Sequence, residues 1–472
     1  MKKGFVILLT AVLIFTLSAC GGNKAANQEG SGKASEGKAS EGAASKSAES
    51  LTLWHWKVAF DPGFKAVVDA FEKKTGIKVN TEVTTPDDAY KQKVTASATA
   101  NNLPDIYAYW AGQAEGAFDG IAMEWTEELN RDSAWKSSFF PSALSGLTIA
   151  QSSLDTWVKD KAASDWKKAR KVGEIYGIPL DVGAFYTVYG NAKLLADAGV
   201  PTDAPATIEE WVARMKKVKE ATNTPGFVFS AKTFSVYENW MVNFLDYMKN
   251  GEESFTKFMN REEKMSDPQH IHVAQFIEDL TKSGLMIPGS VSLDIDPADQ
   301  AFTQGKAAYL LGGTFTYASL TAMGMNPADI VSFRVPAYEG SKLPDAKVTP
   351  FPLVQMIVNS KSPNAKEAVE FVKFLTSDEG MTLYANGAYD IPSVKIQDKS
   401  KLNESINAML SSLNTESTWW SENSAISSKV FGPEWQLFHE AKQKIILGSM
   451  TAKEAAAKFD EAAAAEKAKE QK

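Results

Sequence analysis

Of 472 residues only Cys20 is a cysteine, so no disulfide can close within the chain and no thiolate cluster can hold a metal. Histidine is nearly as scarce: His55, His270, His272 and His439 are the whole set, and none lies in an H-E-x-x-H motif. The folded region also lacks G-x-G-x-x-G, G-x-x-x-x-G-K-[ST] and G-x-S-x-G, the loops that cradle phosphates or raise a nucleophile. Positive charge is short. Lys plus Arg number 50 against 58 Asp plus Glu, for a net charge of −8, and no basic stripe with interleaved aromatics occurs, which excludes nucleic acid as the partner. The uncharged run from Gly4 to Ala19 is 16 residues long, below the ~20 that a spanning helix needs.

With 44% apolar and 23% charged residues, the chain has the composition of a soluble globular protein. A single core stops growing beyond roughly 250 to 300 residues, so the sequence after position 50 requires at least two domains. Lys2 and Lys3 ahead of the apolar run read as an export signal over residues 1–19. Its end, Leu17-Ser18-Ala19-Cys20-Gly21, resembles the lipobox of bacterial lipoproteins. That resemblance implies that Cys20 is lipidated with palmitate-type chains and becomes the mature N-terminus, on the outer face of a cytoplasmic membrane of Gram-positive type. Two acyl chains are about what stable anchoring takes. Residues 20–50 hold almost only small and polar side chains and repeat Lys-Ala-Ser-Glu-Gly at 33–37 and 38–42. Without large apolar groups they cannot offset ordering entropy, and they read as a flexible tether with a reach of about 30 Å.

From Leu51 strands alternate with helices. Leu51-Thr52-Leu53-Trp54 reads as a strand; Asp61-Pro62 offers an N-cap and an N1 proline; Phe64, Val67, Val68 and Phe71 share a helical face that ends at Gly76. Ile77, Val79, Thr81 and Val83 then alternate as a strand, completing a βαβ unit with parallel pairing. Thr207 with Glu210, and Thr451 with Glu454, make capping boxes, while Asp267-Pro268, Asp296-Pro297 and Ser362-Pro363 start further helices. Short strands are expected at 185–189, 307–311 and 354–358. The fold class is therefore α/β, with open sheets flanked by helices.

Side chains that carry chemistry are thinly spread. His270 and His272 sit at a Pro268-initiated helix start where i and i+2 diverge, so they read as a solvated turn and no metal site is expected. Asp294, Asp296 and Asp299 read as helix-capping carboxylates, with Asp296 at the N-cap and Asp299 at N3. Glu127-Glu128, Glu209-Glu210 and Glu262-Glu263 read as solvated helix faces. The unusual inventory is aromatic: 12 Trp, 13 Tyr and 25 Phe. Several follow strands, where open α/β sheets place their ligand crevices: Trp54 to Lys57 after the first strand, and Tyr107, Tyr109 and Trp110 beyond Pro104-Asp105.

Leu51-Thr-Leu-Trp-His-Trp, Phe71-Glu-Lys-Lys-Thr-Gly-Ile-Lys-Val, Leu103-Pro-Asp-Ile-Tyr-Ala-Tyr-Trp-Ala, Phe302-Thr-Gln-Gly-Lys-Ala-Ala-Tyr and Ala365-Lys-Glu-Ala-Val-Glu-Phe-Val-Lys-Phe-Leu-Thr-Ser recur in order along the chain. Together with Tyr176-Gly-Ile-Pro-Leu and the closing Ile446-Leu-Gly-Ser-Met-Thr-Ala-Lys-Glu-Ala, they resemble the carbohydrate-type extracellular solute-binding proteins of bacterial ABC importers, the family that includes maltose-binding protein. The resemblance implies two α/β lobes joined by hinge crossings and closing on ligand, with residues 51–183 plus 353–392 in the first lobe and 188–350 plus 396–472 in the second. Crossings are expected near Val182 to Tyr186, Phe351 to Val354 and Pro392.

The same resemblance implies a monomeric, membrane-tethered receptor that holds a saccharide between its lobes and delivers it to permease subunits with a cytoplasmic ATPase, with no cofactor and no catalysed reaction. Ligand contacts carried over from it are Trp56, Lys57, Trp110, Gln113, Asp181, Gly183, Glu238, Trp240, Phe315, Tyr317 and Trp435. Gln113, Ala114 and Gly183 stand where maltose-binding relatives carry charged side chains, so the acid-rich hydroxyl clamp of those relatives is expected to be missing, and maltose is not assigned. Two alternatives stand beside this: a protein of the same fold for a non-sugar solute, such as a phosphate ester, a polyamine or a metal chelate, and an extracellular glycoside hydrolase, which needs a carboxyl pair ~5 to 9.5 Å apart.

Overall fold

The computed structural model describes residues 50–111, 119–411, 413 and 426–470. Cys20, the tether over 20–49, Gln113 and Ala114 lie outside the described residues.

The opening βαβ unit forms as its pattern dictates. Strand β1 (Ser50–His55) pairs in parallel with β2 (Lys78–Val83), joined by the helix Asp61–Thr75. The helix begins one residue earlier than the Asp61-Pro62 signal places it, with Phe60 at the cap and Pro62 still in the first turn, where its missing N–H costs nothing. It ends at Gly76, whose φ of 79° is the left-handed conformation that glycine adopts without steric cost. Phe64, Val67 and Phe71 are buried, with Phe64 against Tyr384 and Phe71 against Phe371 of the helices Asp378–Ala388 and Ala365–Leu375. Full burial of each such side chain stabilises by roughly 1.5 to 3 kcal/mol. The helices meet closely at Gly63, where a Cβ would lie 2.7 Å from the Tyr384 carbonyl oxygen.

Two separate sheets organise the body. The first runs β2–β1–β3–β11–β4, with β3 at Ile106–Trp110, β4 at Ile178–Pro179 and β11 at Val354–Val358. The second runs β7–β8–β6–β9, with β6 at Thr187–Asn191, β7 at Phe227–Val228, β8 at Tyr309–Gly312 and β9 at Ile330–Arg334. The chain leaves the first sheet through β5 (Val182–Gly183) and returns through β10 (Phe351–Pro352), and these two strands pair with each other antiparallel. An isolated bridge between Asp181 and Pro392 brings a third segment to the same place. This is the two-lobed α/β architecture with hinge crossings that the family resemblance implies.

The box at Thr451 forms in full, while at Thr207 the cap bond forms and the Glu210 carboxylate takes the Ala206 N–H, one residue before the cap. Glu210 N–H donates to Thr207 Oγ1 at 3.2 Å, and Glu454 N–H donates to Thr451 Oγ1 at 3.2 Å while Thr451 N–H donates back to Glu454. The Asp267-Pro268 start does not form. The helix begins at His272, and a turn over 267–271 carries His270 inward to zero exposure, so the expected solvated turn is corrected. His270 lies between Asp246 (Nδ1 to Oδ2, 2.6 Å) and Glu263 (Nε2 to Oε2, 2.7 Å) and stacks on Phe258, which also removes Glu263 from the purely solvated faces. Among the described residues no helix is long and apolar enough to cross a membrane.

Candidate functional site

Strand direction decides which side chains meet between the sheets. Because β1 and β3 are parallel, their carboxyl ends deliver Trp56 and Trp110 to one edge, where the indoles stack with centroids 3.8 Å apart and planes at 29°. Tyr90 closes the back of this pair, its hydroxyl donating to the Ala108 carbonyl. In the second sheet β6 runs antiparallel to β8, with Thr187 opposite Gly312, so the residues just before β6 and just after β8 share an edge. Phe185 and Phe315 therefore lie together, and Phe185 stacks on Trp240 at 4.3 Å and 13°, with Phe315 edge-on to Trp240 at 5.8 Å. Trp240 is aimed there by a single π-helical turn, Glu238–Val242, a distortion that recurs at functional sites.

Lys57 connects the two groups. It caps the 3-10 turn that follows β1, and its Nζ donates to the Phe315 carbonyl at 3.4 Å and lies 4.6 Å from the Phe315 ring centre. Burial pushes Lys57 below the usual lysine range, opposed by the charges of Asp390, Asp181, Asp299 and Asp296. Burial likewise raises Asp181, with the charge of neighbouring Asp390 adding to the effect, and raises Asp390; it also raises Asp299 well above the carboxylate range, with Asp296 adding to the effect. Asp181 also accepts the Val354 N–H at 2.8 Å, and the Val182 N–H donates to the Ile391 carbonyl at 3.1 Å, which ties all three crossings together. Asp87, across from Asp296, is raised by partial burial and by that neighbour.

The carboxyl groups of this region, Asp181, Asp299, Asp390 and Asp296, come from positions other than 113, 114 and 183. Asp299 does not serve as an N3 cap. The helix Ile295–Thr303 is capped by Asp294, and Asp299 is buried at 2% exposure with Oδ2 unpartnered. Asp390 and Phe185 carry no local sequence signal of a site, and only the register of antiparallel strands and the return of the third crossing bring them in; Asp299 stands out locally only as a capping carboxylate.

Of the residues carried over by resemblance, Trp56, Lys57, Trp110, Asp181, Trp240 and Phe315 come together here. Gly183 contributes close backbone approach, since a Cβ there would collide with Thr314 and Leu353. Tyr317 lies behind Phe315, 4% exposed, packed on Tyr389 and Tyr189. Glu238 is corrected: it points away from Trp240 into a fully buried ion pair with Lys442, at 2.8 Å, with His439 alongside at 3.3 Å. Trp435 is corrected as well. It is 2% exposed among Phe258, Phe438 and Phe459, an aromatic core where the helices Pro433–Ile446 and Ala452–Glu470 pack.

No group of three or more His, Cys, Asp or Glu among the described residues is arranged to hold a metal ion. The arrangement offers flat aromatic faces for the C–H faces of a ring, one ammonium donor, and buried carboxyl groups able to accept hydrogen bonds from hydroxyls.

The model of the bacterial extracellular solute-binding protein family matches residues 58–382. A galactooligosaccharide-binding protein of Bacillus subtilis (strain 168) is 23% identical over 398 residues, 84% of this chain and 81% of the relative. A solved structure from work on xylan utilization by the thermophilic bacterium Caldanaerobius polysaccharolyticus superposes with a TM-score of 0.63 at 22% identity, covering 87% of this chain and 99% of the other. Maltose-bound MalE3 of T. maritima superposes with a TM-score of 0.62 at 17% identity, covering 88% and 99%. These two likenesses are of fold.

Proposed function

Because the chain belongs to the family of bacterial extracellular solute-binding proteins, we propose that it is the receptor of an ABC importer that holds an oligosaccharide between its lobes and passes it to the permease subunits. The observation that carries this reading is the pair of aromatic platforms, Trp56 with Trp110 and Phe185 with Trp240 and Phe315, bridged by Lys57 and backed by buried carboxyls. Aromatic faces cover the apolar faces of sugar rings, and the polar groups between them take the hydroxyls. The relatives named for galactooligosaccharide and maltose point to the same ligand class.

In this reading the lobes comprise residues 51–183 plus 353–392 and 188–350 plus 396–472, and closure turns on the crossings at 182–183, 351–352 and 390–392. The protein acts as a monomer and catalyses no reaction. Cys20 carries the lipid that retains it at the outer face of the membrane, and residues 20–50 act as a spacer. Cys20→Ala is expected to abolish detergent partitioning, and unchanged partitioning would remove the anchor from the proposal.

A thermal-shift screen of the soluble body against saccharides of galactose, glucose and xylose, one to six units long, tests the function directly. Binding to the native state alone raises the melting temperature, by about 2.7 kcal/mol of added stability at a hundredfold excess over Kd. A flat response to every saccharide, with a shift from a polyamine or a phosphate ester, would overturn the sugar assignment.

A further inference from the structure

A π-helical turn carries one residue more than the α spacing allows, and it persists only where something holds the extra residue in place. At Glu238–Val242 the two spacings compete for a single acceptor: the Ser235 carbonyl takes the Asn239 N–H at 2.7 Å, the α spacing, and the Trp240 N–H at 3.1 Å, the π spacing. Beyond it, the Tyr237 carbonyl takes the Val242 N–H at 3.1 Å and the Glu238 carbonyl takes the Asn243 N–H, both at the π spacing. Backbone hydrogen bonds alone therefore do not fix the register. The Glu238 side chain can, because it is fully buried and its Oε1 is held by Lys442 Nζ at 2.8 Å, with His439 Nδ1 at 3.3 Å, both from the helix Pro433–Ile446. Lys442 is fixed in turn, its ammonium 5.7 Å from the ring centres of both Phe229 and Tyr237. Neither partner can let go without leaving a buried, unpaired charge.

We infer that Glu238 and Lys442 are positioning residues for Trp240: their buried pair pins the π register, and the register sets the indole on the face of Phe185. A slip to the α spacing shifts the turn by one residue, about 100° around the helix axis, and takes the ring off Phe185, where it stacks at 4.3 Å and 13°. Trp240 would meet the ligand; the two charged side chains act only through it. The consequence for binding rests on the saccharide reading above, whereas the control of register does not.

The test is fluorine NMR of the full chain with 5-fluorotryptophan incorporated, the Trp240 resonance being identified by its absence from Trp240→Phe. In the double variant Glu238→Gln/Lys442→Met, which leaves no buried charge unpaired, that resonance should lose its ring-current shift from Phe185 and broaden or double, while those of Trp56 and Trp110 stay in place. Should the double variant not fold, Glu238→Gln alone, which keeps a carbonyl acceptor for Lys442, should displace the resonance in the same direction by less. A Trp240 resonance unmoved in the folded variant would overturn the inference, because a pair that only filled the core would leave the ring where it is. Titration with oligosaccharides of galactose, glucose and xylose gives a second reading: the double variant should weaken binding about tenfold on its own and about twofold or less in the Trp240→Ala background, since both changes remove the same platform. Losses that multiply would mean that the pair acts on the ligand by another route, and would also overturn the inference. If no saccharide binds, the saccharide reading falls, and the fluorine resonance alone decides the control of register.

Discussion

Lys57 Nζ reaches the carbonyl oxygen of Phe315 at 3.4 Å and lies 4.6 Å from the centre of its ring, so one side chain at the end of β1 holds the turn after β8 on the other sheet. The amine is drawn into a region whose compensating charge is all carboxylate, on Asp390, Asp181, Asp299 and Asp296.

Lys57→Met keeps the stem and removes the charge. Saccharide affinity should fall about tenfold, or about 1.4 kcal/mol, because the ammonium donor between the aromatic platforms is lost. The melting temperature of the free protein should hold within a few degrees, since burying the ammonium already costs desolvation that offsets its contacts. Titration calorimetry beside a thermal melt separates the two effects; unchanged affinity would place Lys57 outside the ligand's reach.

Trp110 and Trp435 make a matched pair for telling platform from core. Trp110 is partly exposed over Trp56, and Trp110→Ala should cost about 2 kcal/mol of binding, roughly 30-fold in affinity, with modest loss of stability. Trp435→Ala should do the reverse, losing ~3 to 5 kcal/mol of folding stability because Phe258, Phe438 and Phe459 are left around a cavity. Denaturant melts and titrations on both variants check the assignment, and equal behaviour would contradict it.

Although burial works against its charged form, His270 is raised above its ordinary value by Asp246 and Glu263. A group whose folded value is raised stabilises fully below its unfolded value, about 6.5, and that contribution is lost as pH rises through the folded value. The stability gap between wild type and His270→Gln should therefore shrink as pH is raised from 6.5 upward. Urea melts at pH 6 to 9 follow it, and a gap independent of pH would mean that His270 is not the group titrating.

Glu238 and Lys442 are each fully buried and face each other at 2.8 Å. Glu238→Gln or Lys442→Met alone leaves an uncompensated buried charge and should destabilise by about 3 to 5 kcal/mol. The double variant should regain most of that loss, since it removes both charges. A double-mutant cycle by chemical denaturation measures the coupling; additive losses would show that the pair does not act as a unit.

Much of the architecture follows from local sequence. The apolar alternation of 51–54, the face of Phe64, Val67 and Phe71, the stop at Gly76 and the caps at Thr207 and Thr451 act over a few residues, where backbone sterics and period dictate the outcome. Trp56, Lys57 and Trp110 were legible for a related reason: parallel strands put their carboxyl ends on one edge, so position after a strand marks a crevice.

What local pattern could not decide was everything that depends on partners distant in the chain. Phe185 enters because β6 is antiparallel to β8, Asp390 because the third crossing returns beside Asp181, and Asp299 because the helix cap falls at Asp294 and rotates it inward. Trp435 and Glu238 leave the site for the converse reason: an aromatic or an acid has the same local signature in a core as in a crevice. Only the packing of Phe258 and Phe459, and the approach of Lys442, assign these two to the interior. Sequence set the elements and their aromatic endowment; tertiary structure set the charge of the space between them, because electrostatic environment is a sum over neighbours that no short window of sequence contains.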